Sequence, residues 1–378
     1  MISYGMKYSA SSVRKSLRFT ILTLFTLAAC IKYTNHVYER IENVKRRTAF
    51  LPTPYFQELH KIQPLPIYPR EYTVNLVVAA RRTDDVSWTS YLPLPNLTTL
   101  IYRWGDADAT YSSTEQQGNE AMIYHTYLHD FYDKLPDITI FVHAPQSPWD
   151  AEPFLFSSLV YTLSHLDLEQ VMQRQYVNLR TSWQGECSAW LNTNATNATW
   201  HAPEEVHMRQ MFLDTFFSAT GPVDIPDILA QPCCSQFAVT REAVSSVDKA
   251  EYARHIKLLS RTDLPQSIPG RAWEYMWQYL FLKKVIDCPI EWKALCKTYH
   301  VCFERAADLE RFMELRHEKE SLILGWSFWT QLLQPERAAA EQQRLKDIED
   351  DISIRMALAL TNGLDAGWRA SLGNVYTP

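Results

Sequence analysis

Residues 73–80 read "TVNLVVAA", an apolar run without the alternation of a half-buried strand. Such a run suits a strand covered on both faces, as in a parallel sheet. The segments downstream repeat its logic. "TTLIY" (98–102) and "ITIFVH" (138–143) read as further strands. Between them "NEAMIYHTYLHDFYDKLPD" sets Ala121, Tyr124, Leu128 and Phe131 or Tyr132 on one helical face, with Asn119 as the expected N-cap and Pro136 as the stop. A helix over 152–166, a strand "YVNLR", an amphipathic helix over 204–217, a short strand "QFAVT" and helices over 249–260 and 271–284 follow. Strand and helix alternate, which predicts an α/β fold with a mainly parallel sheet flanked by helices over residues 71–302. Residues 303–378 read as a helical tail with a solvated, charged face at "ERAAAEQQRLKDIEDD".

Upstream of the domain the composition changes. Phe19 to Ile31 is uncharged and mostly apolar, and Lys7, Arg14, Lys15 and Arg18 precede it. The run is shorter than the roughly 20 residues of a comfortable span, yet it ends in Cys30, Ile31 and Lys32 rather than in a good cleavage site. The expectation is an uncleaved signal anchor over 19–38, behind a cytosolic segment 1–18; a buried soluble helix is the competing reading. A proline-rich stem, 39–70, joins the anchor to the domain. Sequons at Asn96-Leu97-Thr98, Asn194-Ala195-Thr196 and Asn197-Ala198-Thr199 place the body in the lumen. The predicted location is therefore a single-pass membrane protein of the endoplasmic reticulum or Golgi.

The net charge of −6, with signs interspersed and no basic tract, argues against nucleic acid as a partner. Six of the seven cysteines fall in the body: Cys187, Cys233, Cys234, Cys288, Cys296 and Cys302. An even number beyond a secretory segment predicts a disulfide framework. Cys233 and Cys234 are adjacent, closer than the usual Cα separation, so the expectation is that each ties to a remote partner. Zinc held by Cys288, Cys296, Cys302 and His300 is the alternative.

Several segments together, "DDVSW", the helix-and-strand run 118–144, "YVNLR", "CCSQFAVTRE" and "GRAWEYMWQYLF" followed by "CP", resemble a largely fungal domain-of-unknown-function family over about 72–302. That family in turn looks like the nucleotide-sugar glycosyltransferases. The resemblance implies a Rossmann-like, glycosyltransferase-A-like sheet, a nucleotide-sugar donor and a small-molecule or glycan acceptor. A tailoring or accessory role in fungal secondary metabolism without glycosyl transfer is the alternative it carries. Two positions depart from the pattern: Asp150 stands where a histidine is expected after Trp149, and Gln278 where one is expected after Trp277.

In an open α/β sheet, ligands bind outside the carboxyl ends of the strands. The first strand delivers Arg81, Arg82, Asp84 and Asp85; the second, Trp104, Asp106 and Asp108; the third, His143, Trp149 and Asp150. Arg81 and Arg82 are candidates for gripping phosphate, unless they pair with Asp84 or Asp85. Asp106 and Asp108 have the carboxylate-x-carboxylate form that suits Mn²⁺ or Mg²⁺, or else make a solvated turn. His143 and Asp85 are the catalytic candidates, His143 because its ordinary pKa lies near neutrality; a structural histidine is the competing reading. Asp84, Trp104, Trp149 and Asp150 complete the expected substrate contacts. Arg271 and Glu274, three apart on a helix, read as an ion pair. No GxSxG, HExxH, P-loop or GxGxxG motif occurs, which removes the usual support for hydrolase, zincin and dinucleotide readings.

Overall fold

The computed structural model describes residues 70–106, 108–113, 117–148, 151–183, 187, 191–197, 202–216, 224–325 and 334–376, together with Lys32. In chain order the first half holds β1 (Val74–Arg81), β2 (Leu97–Trp104), β3 (Tyr111–Ser113), α1 (Glu120–Asp130), β4 (Ile138–His143), α2 (Leu159–Ser164), α3 (Leu168–Arg174), β5 (Tyr176–Asn178) and β6 (Leu191–Asn192). The second half holds α4 (Met208–Phe216), β7 (Ile228–Leu229), β8 (Phe237–Thr240), α5 (Arg241–Ser245), α6 (Lys249–Arg261), α7 (Ser267–Glu274), α8 (Trp277–Leu282), α9 (Glu291–Tyr299), α10 (Ala306–Gly325), α11 (Pro335–Leu364) and α12 (Ala366–Ser371).

β1 is the centre of the sheet, as its unbroken apolar run requires. It pairs in parallel with β2 (Val74↔Leu97 to Arg81↔Trp104) and with β4 (Val74↔Ile138 to Ala79↔His143). The strand order is β3-β2-β1-β4-β8-β5. All neighbours are parallel except those of β8, which runs antiparallel to both β4 and β5. The expected mainly parallel α/β sheet is therefore present. β6 and β7 form a separate two-stranded ribbon.

Alternate residues of β1 face opposite layers. Leu76, Val78 and Ala80 pack with α2, α3, α9, α10 and α11; Val77 and Ala79 pack with α1, α4, α6, α7 and α8. The tail is helical, as predicted. Its Phe312, Ile348, Ile352 and Met356 enter the same buried cluster as the first face of the sheet. Ion pairs between α10 and α11, such as Arg344 on Glu318 (2.7 Å), lie at the surface and add little beside that apolar contact.

Several elements differ in detail from expectation. The predicted helix 152–166 opens as a 3₁₀ turn over Pro153–Leu155 and restarts at α2, because Phe156 and Ser157 take positive φ (62° and 50°). The helix predicted over 271–284 is split at Tyr275–Met276 into α7 and α8. Asn119 precedes α1 but makes no side-chain cap and has φ 51°. Arg271 pairs with Glu204 (3.2 Å), and among the described residues no ion pair joins it to Glu274.

The six body cysteines form three disulfides: Cys187–Cys288, Cys233–Cys234 and Cys296–Cys302. The expectation that Cys233 and Cys234 reach separate remote partners is corrected. The neighbours bridge each other, with Cys234 at φ 73°. The same pairing occupies the sulfurs of the alternative zinc set, and His300 Nε2 lies against Asp167 Oδ2 (2.8 Å).

Among the described residues no helix is long and apolar enough to cross a membrane. The segments expected to form the anchor, 19–38, and the stem, 39–70, lie outside the described residues apart from Lys32 and Arg70.

Candidate functional site at the carboxyl edge

The strand order reverses between β1 and β4, which makes the carboxyl ends of these strands the expected ligand crevice. Four local devices shape this edge. The Arg81 N–H donates to Asp84 Oδ2 (2.7 Å), closing a turn directly after β1. Arg103 on β2 donates from Nη1 to the carbonyls of Arg81 (2.6 Å) and Arg82 (3.1 Å), pinning that turn from below. Asp85 accepts from the Ser87 N–H (2.9 Å) and starts a 3₁₀ turn. Buried Trp88 then donates from Nε1 to the Ala144 carbonyl (2.8 Å), tying the β1 loop to the end of β4. "DDVSW" is thus a structural hinge between two strand ends.

The third side of the edge comes from α1 and α7. Gln117 donates to the Leu264 carbonyl (2.7 Å), the Gly118 N–H to the Gln266 carbonyl (3.3 Å), and Gln266 Nε2 to Asn119 Oδ1 (3.2 Å). This approach needs glycine twice. Gly118 has φ +79°, and a Cβ there would stand 2.7 Å from Leu259 Cδ2; a Cβ on Gly270 would meet the Gly118 carbonyl at 3.1 Å.

Between these elements lies a cavity of about 540 Å³, lined by Arg81, Arg82, Thr83, Trp104, Asn119, Glu120 and Gln266. Among the described residues Arg81 and Arg82 make no side-chain ion pair, the carboxylate of buried Glu120 has no partner, and the Trp104 indole N–H is buried without an acceptor. Two guanidinium groups and a carboxylate at one cavity beside a helix N-terminus suit an anionic ligand that also carries hydroxyl groups.

Of the residues singled out in the sequence, Arg81, Arg82 and Trp104 line this cavity. Asp84 and Asp85 are engaged in the turns just described and do not line it. Hydrogen bonds from Ser87, that of its backbone N–H foremost, hold the Asp85 carboxyl below the usual carboxylate range, which suits a cap better than a proton acceptor. Asp106 and Asp108 share a turn in which the Asp108 N–H donates to Asp106 Oδ1 (3.3 Å). Among the described residues no group of three or more His, Cys, Asp or Glu side chains is arranged to hold a metal ion. His143 lies at the same edge, half-buried, two register positions below Arg81, with its N–H on Gln236 Oε1 (3.3 Å). Trp149 and Asp150 lie outside the described residues. Asn119, Glu120 and Gln266 were not among the candidates. Only the position of Asn119 and Glu120 at a helix start hinted at them, and nothing local to Gln266 did.

The other half of the edge, beyond β4, is built differently. Glu152 is fully buried and accepts from the Phe154 N–H (2.9 Å), the Thr181 N–H and hydroxyl (the latter 2.9 Å) and the Ser182 N–H (3.3 Å). Burial pushes its carboxyl up, against those hydrogen bonds. Asn178 Nδ2 donates to the Pro232 carbonyl (2.7 Å), and Tyr176 to Gln231 Oε1 (3.0 Å). Because β8 runs against its neighbours, the loop 231–236 that precedes it, with Cys233–Cys234, reaches this same edge.

No curated protein and no solved structure matches the chain. Residues 76–297, more than half of its length and all of the sheet but the first two residues of β1, match the family described as "Protein of unknown function (DUF3431)", and the chain belongs to that family.

Proposed function

We propose that the protein is a membrane-anchored, glycosyltransferase-like enzyme of the secretory pathway whose β1–β2 cavity takes the diphosphate and sugar of a nucleotide sugar. The observation that carries this reading is the pair of guanidinium groups, Arg81 and Arg82, lining one cavity with the Glu120 carboxylate, none of the three in an ion pair among the described residues. Arginine presents forked donors to phosphate oxygens, and the N-terminus of α1 adds partial positive charge. Glu120 and Asn119 then offer acceptors and donors to sugar hydroxyls. The arginines supply charge neutralisation. A proton-accepting role for His143 requires the acceptor molecule to lie over β4, beside the cavity rather than inside it.

The lumenal location rests on the sequons and the disulfides. Asn96 and Asn197 are exposed. The Asn194 amide instead donates to Asp227 Oδ1 (2.6 Å) and accepts from Arg209 (2.6 Å), so a glycan there would displace two hydrogen bonds. Endoglycosidase should lower the apparent mass of the native protein; an unchanged mass, with the body open to protease from the cytosol, would remove the lumenal assignment.

The donor reading is tested by thermal shift with uridine and guanosine diphosphate sugars, with and without Mn²⁺. A shift is expected with at least one nucleotide sugar and is expected to vanish in Arg81→Ala and Arg82→Ala. The reading fails if no nucleotide sugar shifts the wild type. One observation favours a second reading, an accessory or tailoring protein of a fungal secondary-metabolite pathway: neither His143 nor any of Asp84, Asp85, Asp106 and Asp108 lines the cavity. Release of nucleoside diphosphate on adding acceptor separates turnover from binding alone.

A further inference from the structure

The Cys233–Cys234 pair lies outside the cavity and differs from the other two disulfides in three respects. The first is span. Cys187–Cys288 joins residues 101 apart and Cys296–Cys302 residues 6 apart, whereas Cys233 and Cys234 are neighbours. Linking neighbours excludes almost no unfolded conformations, so the stabilisation expected of a long-range staple does not apply.

The second is charge. Arg180 is buried, and its Nη1 lies 2.7 Å from Cys233 Sγ and 4.0 Å from Cys234 Sγ. Its Nε donates to Ser182 Oγ (2.8 Å), and among the described residues no carboxylate lies within ion-pair distance of it, although the Glu152 and Glu291 carboxylates act on it through space. A disulfide sulfur is a weak acceptor for a buried guanidinium, while a thiolate at the same place is a counter-charge in direct contact. The third is position. The Cys234 N–H donates to Glu274 Oε2 (3.2 Å) at the end of α7, whose other end follows Gln266 in the cavity wall.

We propose that Cys233–Cys234 is a redox-active pair that exchanges with a dithiol. One thiolate of the dithiol attacks Cys234 Sγ, the Cys233–Cys234 bond breaks, and the electron pair leaves on Cys233 as a thiolate beside Arg180. The second thiol of the reductant loses its proton, attacks the mixed disulfide and departs as the oxidised, cyclic disulfide. Cys234 takes up one proton as a free thiol and the other proton passes to solvent, so two electrons move from the dithiol to the pair. Arg180 lowers the cost of the thiolate and so favours the reduced state. Both cysteines are buried, so exchange requires the 231–236 loop to open. Reduction releases the ring that holds Cys234 at positive φ and loosens its bond to Glu274.

The experiment equilibrates the full chain across ratios of reduced to oxidised dithiothreitol, traps thiols by alkylation and identifies them by peptide mass. Cys233 and Cys234 are expected to open at a ratio about tenfold lower than the other four cysteines, and Arg180→Gln is expected to raise that ratio about tenfold without moving the other two disulfides. An opening of this pair last of the three, or at a ratio indifferent to Arg180, overturns the proposal. If Arg180→Gln does not fold, Cys234→Ser leaves Cys233 as a single thiol beside the guanidinium. Its alkylation rate should then rise with a midpoint below the ordinary thiol value of about 8.5, and a midpoint at or above that value overturns the proposal.

Discussion

The two halves of the carboxyl edge handle polar groups in opposite ways. Beyond β4, Glu152, Asn178 and Gln231 are buried and bonded to their own chain. Over β1 and β2, Arg81, Arg82, Trp104 and Glu120 line an open space, and among the described residues the two arginines and Glu120 have no ionic partner. Polar groups satisfied internally hold the architecture, whereas groups left unsatisfied around a cavity are available to a ligand. The contrast separates the residues whose loss should unfold the protein from those whose loss should silence it.

The strongest way to break this division is Glu152→Ala. It strands three backbone N–H groups in a dry interior and should cost about 3–5 kcal/mol in denaturant unfolding. A loss under about 1 kcal/mol would mean that the filled half is not structural.

Acid is the next lever, and it acts between the halves. His125 on α1 is wholly buried against Trp273 (ring centroids 4.2 Å) and His255 (4.8 Å), with no hydrogen-bond partner among the described residues. Burial holds the His125 imidazole well below its ordinary value; burial, then the nearby Arg254, lowers His255 to about 4. Below about pH 6.5 the unfolded chain takes up protons that the folded chain refuses, so stability falls with falling pH, by up to about 1.4 kcal/mol per pH unit for each imidazole. For His255 the loss stops near pH 4. Unfolding midpoints measured from pH 7 to 4 should show this slope, and His255→Gln should remove one proton's share of it. Since α1 and α7 meet through this cluster, acid should weaken ligand binding before the sheet itself opens.

Gly118→Ala sharpens the contrast at the cavity rim. With φ +79° and Leu259 in the way, it should cost about 1–2 kcal/mol and also reduce ligand-induced stabilisation, because the 117–119 loop carries a cavity wall. The smallest change in stability belongs to Arg81→Ala and Arg82→Ala, within about 0.5 kcal/mol, although ligand binding should be lost. A large stability loss in either would move these arginines into the architectural class.

The sheet was legible in the sequence because β1 carries its burial in its composition: an apolar run with no polar alternate has to be covered on both sides. Arg81, Arg82 and Trp104 were legible for the same reason, since the residues following parallel strands must gather at one edge. Glu120 and Gln266 were not, because helix starts bring them to that edge through a loop contact 147 residues apart in sequence. The cysteine pairing was misread because the usual Cα separation describes unstrained partners, while adjacent residues can close a ring when one of them takes positive φ. The breaks at Phe156–Ser157 and Tyr275–Met276 interrupt apolar stretches without glycine or proline at the break itself. In both, tertiary packing prevailed over local propensity.

The order in which the chain is made carries a burden of its own. The sheet is complete at Thr240, but the side of it that bears Leu76 and Val78 is finally roofed by Ile348, Ile352 and Met356. Roughly 110 residues separate these events, which at about 5–20 residues per second leaves that face covered only in part, by α2, α3 and the helices made meanwhile, for on the order of ten seconds of synthesis. A nascent chain in that interval presents an incompletely covered apolar cluster to its surroundings, and a truncation after Cys302 would make the condition permanent. Dependence on a holding chaperone during biosynthesis, and a tendency of early-terminated products to aggregate, follow from the late arrival of the roof.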